Sequence, residues 1–186
     1  MTHYSIKRIV EESLPILTFC IVLEVIGGTL LDSQKADFFK SPVILALIPV
    51  INGLGGNLGT IFGSRLSSGL HLGYIKLTLK DKYLLKNMKE LLLAGLVVFL
   101  SISFILWFLS PVVGVEVGNV SFFKFLVLVL LAAISLTGVA IVVSIFTAFL
   151  SFKKGVDPDN VVTPLVTTIG DLSGIFLIAL FVSLFV

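Results

Sequence analysis

Apolar residues in this chain fall into five long blocks separated by short polar connections. A helix needs about 20 mostly apolar residues to cross the hydrocarbon core of a bilayer. Segments 14–31, 42–70, 91–109, 122–150 and 161–186 meet that requirement. The two-residue alternation of a membrane strand is absent, so the pattern predicts helices and no β-barrel. No short-period repeat or low-complexity segment divides the chain. The expectation is an all-α integral membrane protein: a short cytoplasmic N-terminus over 1–13, then one five-helix unit over 14–186. The first block is not read as a cleaved signal peptide. It contains Glu24 and is followed by Leu31, Asp32, Ser33 and Gln34 instead of a small-x-small site.

Composition agrees with that reading. Of 186 residues, 57% are hydrophobic and 13% charged, and the mean hydropathy is +1.15. Soluble domains run at about 45–50% apolar and about 25% charged, and a chain this small has too much surface to hide the excess. A multi-pass protein of the cell membrane in contact with lipid is expected, and a cytosolic enzyme or secreted scaffold is excluded. A net charge of +2 gives no footing for a nucleic-acid partner. Cys20 is the sole cysteine, and His3 and His71 are far apart, so neither a disulfide nor a zinc site is indicated. No cofactor is expected.

The basic residues do set an orientation. Lys7, Arg8, Lys76, Lys80, Lys82, Lys86, Lys89, Lys153 and Lys154 fall on one side of the five spans, whereas Lys35, Lys40 and Lys124 fall on the other. The positive-inside rule then puts the N-terminus inside and the C-terminus outside. Residues 74–90 interleave lysines with Ile75, Leu77, Leu79, Leu84, Leu85 and Met88, the pattern of a short amphipathic element on the inner surface.

Polar groups at membrane depth are costly and mark candidate function. In the second segment Gly55, Gly59 and Gly63 recur every four residues, a bare face suited to close helix packing. Packing does not account for Asn52, Asn57 and Thr60 at mid-depth. Pro49 ahead of paired glycines, Gly56 among them, invites a break in the helix, and broken backbone at that depth survives where it lines a cavity. Side-chain amides and freed carbonyls are hard ligands for cations. In the fifth segment Asp171 lies about 15 Å in at 1.5 Å per residue. Pro164, Thr167, Thr168 and Gly174 share its face, forming one polar stripe. The plainer alternative is a buried Asp171 satisfied by neighbouring helices. A hydrated divalent ion about 5 Å from its carboxylate would gain roughly 6–7 kcal/mol at an effective dielectric of 20, before desolvation.

Glu24, midway along the first segment, could line the same path, pair with Arg65, or take a coupling ion or proton. Asp157, Pro158, Asp159 and Asn160 open the fifth helix on the inner side. Asp159 or Asn160 is placed to cap it, and carboxylates at a mouth would also gather cations.

Residues Pro49, Asn52, Gly53, Leu54, Gly55, Gly56, Asn57, Leu58 and Gly59, followed by Ser64, Arg65, Leu66 and Ser67, resemble the second transmembrane helix of MgtE-type magnesium transporters. The Ser-Arg-Leu-Ser run leans toward their eukaryotic solute-carrier relatives. Asp157 and Pro158, then Pro164 through Asp171 and Gly174, resemble the family's fifth helix. The two stretches, Pro42–Gly73 and Asp157–Gly174, occur in the right order within a five-helix chain. The resemblance implies a homodimer whose second and fifth helices line an ion path on the two-fold axis. It makes Asp171 the acidic residue of the central site, with the Thr167 carbonyl holding the ion's waters and Asn57 lining the path. Thr60 stands where many members have Gln. No counterpart of the bacterial N-terminal helical domain or nucleotide-sensing pair precedes the first helix, so no regulation by those domains is expected. The eukaryotic relatives fuse two such units, so two copies of this chain are expected to act together.

The leading reading is a divalent cation transporter and not an enzyme. Its transported ion would be Mg²⁺, with Ca²⁺ or Mn²⁺ also suited to oxygen ligands. Two alternatives differ in class. Thr168, Ile169, Gly170 and Asp171 come within one residue of the Gly-x-Gly-Asp of intramembrane aspartyl proteases, but such an enzyme shares a proton between two aspartates. A non-transporting assembly subunit would use the glycine face for docking alone.

Overall fold

The computed structural model describes residues 6–38, 42–118 and 120–185. His3 and Lys40 lie outside the described residues, as does the side chain of Lys35. Five helices follow in order: α1 Ile6–Phe38, α2 Pro42–His71, α3 Lys82–Leu109, α4 Phe122–Lys153 and α5 Pro158–Phe185. No strand occurs among the described residues. All five helices are long and apolar enough to cross a membrane, which makes this a multi-pass membrane protein.

Helices α2, α4 and α5 pack on one another and carry most of the core, including Phe62, Phe125, Leu128, Leu136 and Ile178. Helix α3 covers the α2–α4 side, where Gly95 sits against Thr137 and Leu58. Helix α1 rests on α5 and barely meets α2. Its remaining apolar side chains, such as Phe19, Ile21 and Val25, face outward as lipid-facing residues do.

The glycine face of α2 explains the central packing. A Cβ at Gly55 would overlap the Leu136 side chain of α4, and one at Gly59 would overlap Val166 of α5. At Gly63 a Cβ would lie 2.5 Å from Val162 Cγ1. Small residues let backbones approach where lipid provides no hydrophobic drive for association. The break expected near Pro49 does not form, and α2 runs unbroken through it. Two neighbours hold this helix on its glycine face, so an unwound segment would forfeit packing.

Several helix limits differ from expectation. Helix α1 runs from Ile6 to Phe38, beyond the expected 14–31 at both ends, and residues 6–13 form its opening turns. The Lys7–Glu11 and Arg8–Glu12 pairs, each four residues apart, support that turn. Helix α3 begins at Lys82, capped by Asp81, whose carboxylate accepts from the N–H groups of Tyr83 at 2.9 Å and Leu84 at 3.0 Å. The amphipathic element expected over 74–90 therefore divides. Its first part is a turn that tucks Ile75 under Gly69, and its second part is the opening of α3. Helix α5 is capped by Asp157 and not by Asp159 or Asn160. Asp157 Oδ1 accepts from the Asp159 N–H at 3.1 Å, and Pro158 takes the first helical position, which needs no donor.

Most of the basic residues gather at one end of the bundle. Arg8 Nη2 donates to the Gly155 carbonyl at 2.9 Å, and the rings of His71 and Phe152 meet edge to face at 5.3 Å. At the opposite end the Val43 N–H donates to the Glu116 carbonyl at 3.2 Å.

Candidate functional site

The site lies where α2 crosses α5. A Cβ on Gly170 would stand 4.0 Å from the Gly56 backbone nitrogen, and one on Gly56 would stand 3.3 Å from Thr167 Cγ2. Main chain thus meets main chain at mid-depth with little between. One turn away on each helix, Asn52 Nδ2 donates to the Asp171 carbonyl at 3.2 Å. The amide reaches that carbonyl because residue 174 is glycine: a Cβ there would overlap Asn52 Oδ1. Oδ1 itself is buried and has no hydrogen-bond partner.

The crossing brings together Asn52, Gly56, Thr167 and Asp171. The Asp171 side chain is half-buried, and among the described residues its carboxylate is not used in any bond that joins the helices. Thr167 Oγ1 donates back along α5, 3.0 Å from both the Thr163 and Pro164 carbonyls, and turns its methyl toward Gly56. Pro164 is half-buried within α5, and with no N–H it leaves the Asn160 carbonyl without its usual helical donor. Thr168 is 4% exposed and belongs to the packed interior.

Other candidates stand apart from the crossing. Asn57 is exposed on α2, on a strip with Gly53, Ser64 and Ser68, and Thr60 beside it is half-buried. That strip is polar and unpacked on a helix whose opposite side is closed by glycines. Glu24 is exposed on α1 within electrostatic range of Asp171. Gly27, one turn further along α1, packs on Leu172, and this sets Glu24 at the depth of Asp171. Glu24 does not pair with Arg65, whose partners are Asn87 and Glu90 of α3, both at 3.4 Å. Arg65 sits near the basic end of α2, where Glu90 can reach it and a mid-helix residue of α1 cannot.

At the basic end, Asp157 is part of a network that sequence reasoning missed. Glu12 Oε2 accepts from the Asp157 N–H at 3.2 Å and from Asn160 Nδ2 at 2.9 Å, while Glu12 Oε1 accepts from Arg8 Nε at 2.7 Å. This ties the start of α1 to the start of α5. The Arg8–Glu12 spacing was the available signal, but it named no partner 145 residues away.

Among the described residues no three His, Cys, Asp or Glu side chains converge as a metal cage. One chain therefore offers a cation a single carboxylate with amide and carbonyl oxygens nearby. That set suits an ion that keeps most of its water, as Mg²⁺ does.

A family model described as divalent cation transporter, MgtE, matches residues 48–181. Solute carrier family 41 member 2 of Mus musculus is 33% identical, with 89% of this chain and 30% of the relative covered. The same protein of Homo sapiens is 32% identical, also with 89% and 30% covered. The magnesium transporter MgtE of Thermus thermophilus is 28% identical, with 87% of this chain and 33% of the relative covered. The chain thus spans about a third of the length of these curated relatives.

Proposed function

The chain belongs to the MgtE family of divalent cation transporters, and from that premise we propose that it carries Mg²⁺ across a membrane as a largely hydrated ion. The path runs between the second and fifth helices of two copies related by a two-fold axis. Asp171 supplies the charge at its centre, the Thr167 carbonyl holds the ion's water, and Asn52, Asn57, Gly56, Thr60 and Pro164 shape the wall. Asp157 lies at the inner mouth, and Glu24 is the residue through which a second ion or a proton would couple.

One observation carries this reading most of the way. The strip of Gly53 and Asn57 on α2 is exposed in a single chain and flanks Asn52, whose amide bonds the carbonyl of the half-buried Asp171. An amide turned toward hydrocarbon would cost free energy unless water or protein covers it. A second copy facing that strip, with water between, removes the cost and brings two carboxylates toward one axis. Two formal charges of −1 match a divalent ion that sheds its waters reluctantly. Membership of a transporter family also points away from a peptidase.

The test is Mg²⁺ flux into proteoliposomes. Asp171→Ala is expected to lower it by about tenfold or more, the loss that follows from forfeiting only about 1.4 kcal/mol of attraction. The purified variant should still cross-link as a dimer. Wild-type flux in that variant would overturn the proposal. Running the same assay with Ca²⁺ and Mn²⁺ identifies the substrate, and a Na⁺ or proton gradient tests coupling through Glu24.

A further inference from the structure

At the basic end, where α2 meets the opening of α3, the surface folds into a cavity of about 570 Å³. Its polar lining is Ser64, Arg65, Ser68, Tyr74, Tyr83 and Asn87, with Leu72 and Ile75 among the apolar walls. Each of those six polar side chains can donate a hydrogen bond, and none is an acid. A lining of donors around a guanidinium suits an anion.

The hydrogen bonding of Arg65 defines which anion. Its Nη1 is occupied by Asn87 Oδ1 and Glu90 Oε2. Its Nε and Nη2 have no protein partner among the described residues. Those two nitrogens form one edge of the guanidinium, with parallel N–H groups that match two oxygens of a phosphate. The side chain is 54% exposed, so the edge is reachable. Glu90 is shared with Lys86 at 3.9 Å and cancels only part of the local positive charge. Lys76, Lys80 and Lys82 stand in the same connection and opening turn.

Position favours a lipid over a soluble anion. The cavity lies at the end of two spans, rimmed by the exposed rings of Tyr74 and Tyr83, and phenols of this kind sit at headgroup level. Exposed Leu72 in its lining gives acyl chains an apolar surface. Basic pockets on the inner side of a helix bundle are suited to anionic headgroups. We propose that this cavity binds the headgroup phosphate of an anionic phospholipid, with Arg65 as the bidentate clamp and the four hydroxyls serving the remaining oxygens. The inference does not depend on where the ion path runs.

The test compares lipid retained by the purified full chain from vesicles of phosphatidylcholine mixed with phosphatidylglycerol. The wild-type protein should be enriched in phosphatidylglycerol. Arg65→Gln should lower that enrichment by about tenfold, the loss expected for a charge-assisted hydrogen bond worth about 1.5 kcal/mol. Arg65→Lys keeps the charge without the fork and should fall between the two. It also covers the case in which Arg65→Gln fails to fold. Lys124→Gln, at the opposite end, should match wild type. Equal enrichment in the Arg65 variants and Lys124→Gln would overturn the proposal. So would displacement of the lipid by millimolar inorganic phosphate, which would assign the cavity to a soluble anion.

Discussion

Helix α2 has two unlike faces. On one, Gly55, Gly59 and Gly63 have no side chain because α4 and α5 occupy the space a side chain would fill. On the other, Gly53, Asn57, Ser64 and Ser68 are exposed, and a Cβ at Gly53 would meet nothing within 4 Å. The same residue type therefore answers to different demands two positions apart, at Gly53 and Gly55. Glycine on the first face is set by volume, which the chain itself supplies. The second face carries polar groups that lipid alone would leave uncovered.

Substitutions separate the two faces, and the largest effect belongs to the packed one. Gly59→Val drives a branched side chain into Val166 and Ala140 and is expected to cost about 1–3 kcal/mol or more. Loss of thermal stability in detergent is the readout, and an unchanged melting temperature would contradict the close approach of α2 and α5. Asn52→Leu removes the bond to the Asp171 carbonyl and should cost about 0.6–1.5 kcal/mol. The carboxylate of Asp171 stays in place, so this variant should keep measurable Mg²⁺ flux, unlike Asp171→Ala. On the open face, Gly53→Ala should leave stability within about 1 kcal/mol of wild type, with helix propensity favouring alanine. A large destabilisation there would mean that a second copy already fills the space, which flux and cross-linking would show together.

The smallest effect is a pH response outside both faces. The Leu84 N–H, with those of Lys76 and Tyr83, holds the Asp81 carboxyl below its usual range. A carboxyl depressed in the folded state contributes stability that is present above its unfolded value, about 3.9, and is lost as pH falls through the folded value. Acidification below about pH 4 should therefore loosen the first turn of α3. Amide exchange at Tyr83 and Leu84 should rise there while the faces of α2 remain protected.

Hydropathy made the five helices legible, because a run of apolar residues long enough to span a bilayer has few other uses. It misplaced the starts of α1 and α3. Residues 6–13 and 82–90 are too polar to register as spans, but helix formation depends on backbone hydrogen bonds, ion-pair spacing and caps such as Asp81. Asp171 and Asn52 stood out as candidates by their depth. Their connection was not, since a linear pattern gives the angle of a residue on its own helix and nothing of how two helices cross. The smallness of Gly174 records that crossing, but only once Asn52 is known to lie against it. Pro49 misled for a related reason: its ring weakens α2 locally, and neighbours that appear only in three dimensions keep the helix continuous.

The clasp between α2 and α5 grips main chain on the α5 side. A carbonyl belongs to whatever amino acid occupies position 171, so replacing the aspartate erases its charge and leaves the fastening shut. Replacing Asn52 opens the fastening and spares the charge. The fastening and the charge can thus be removed one at a time.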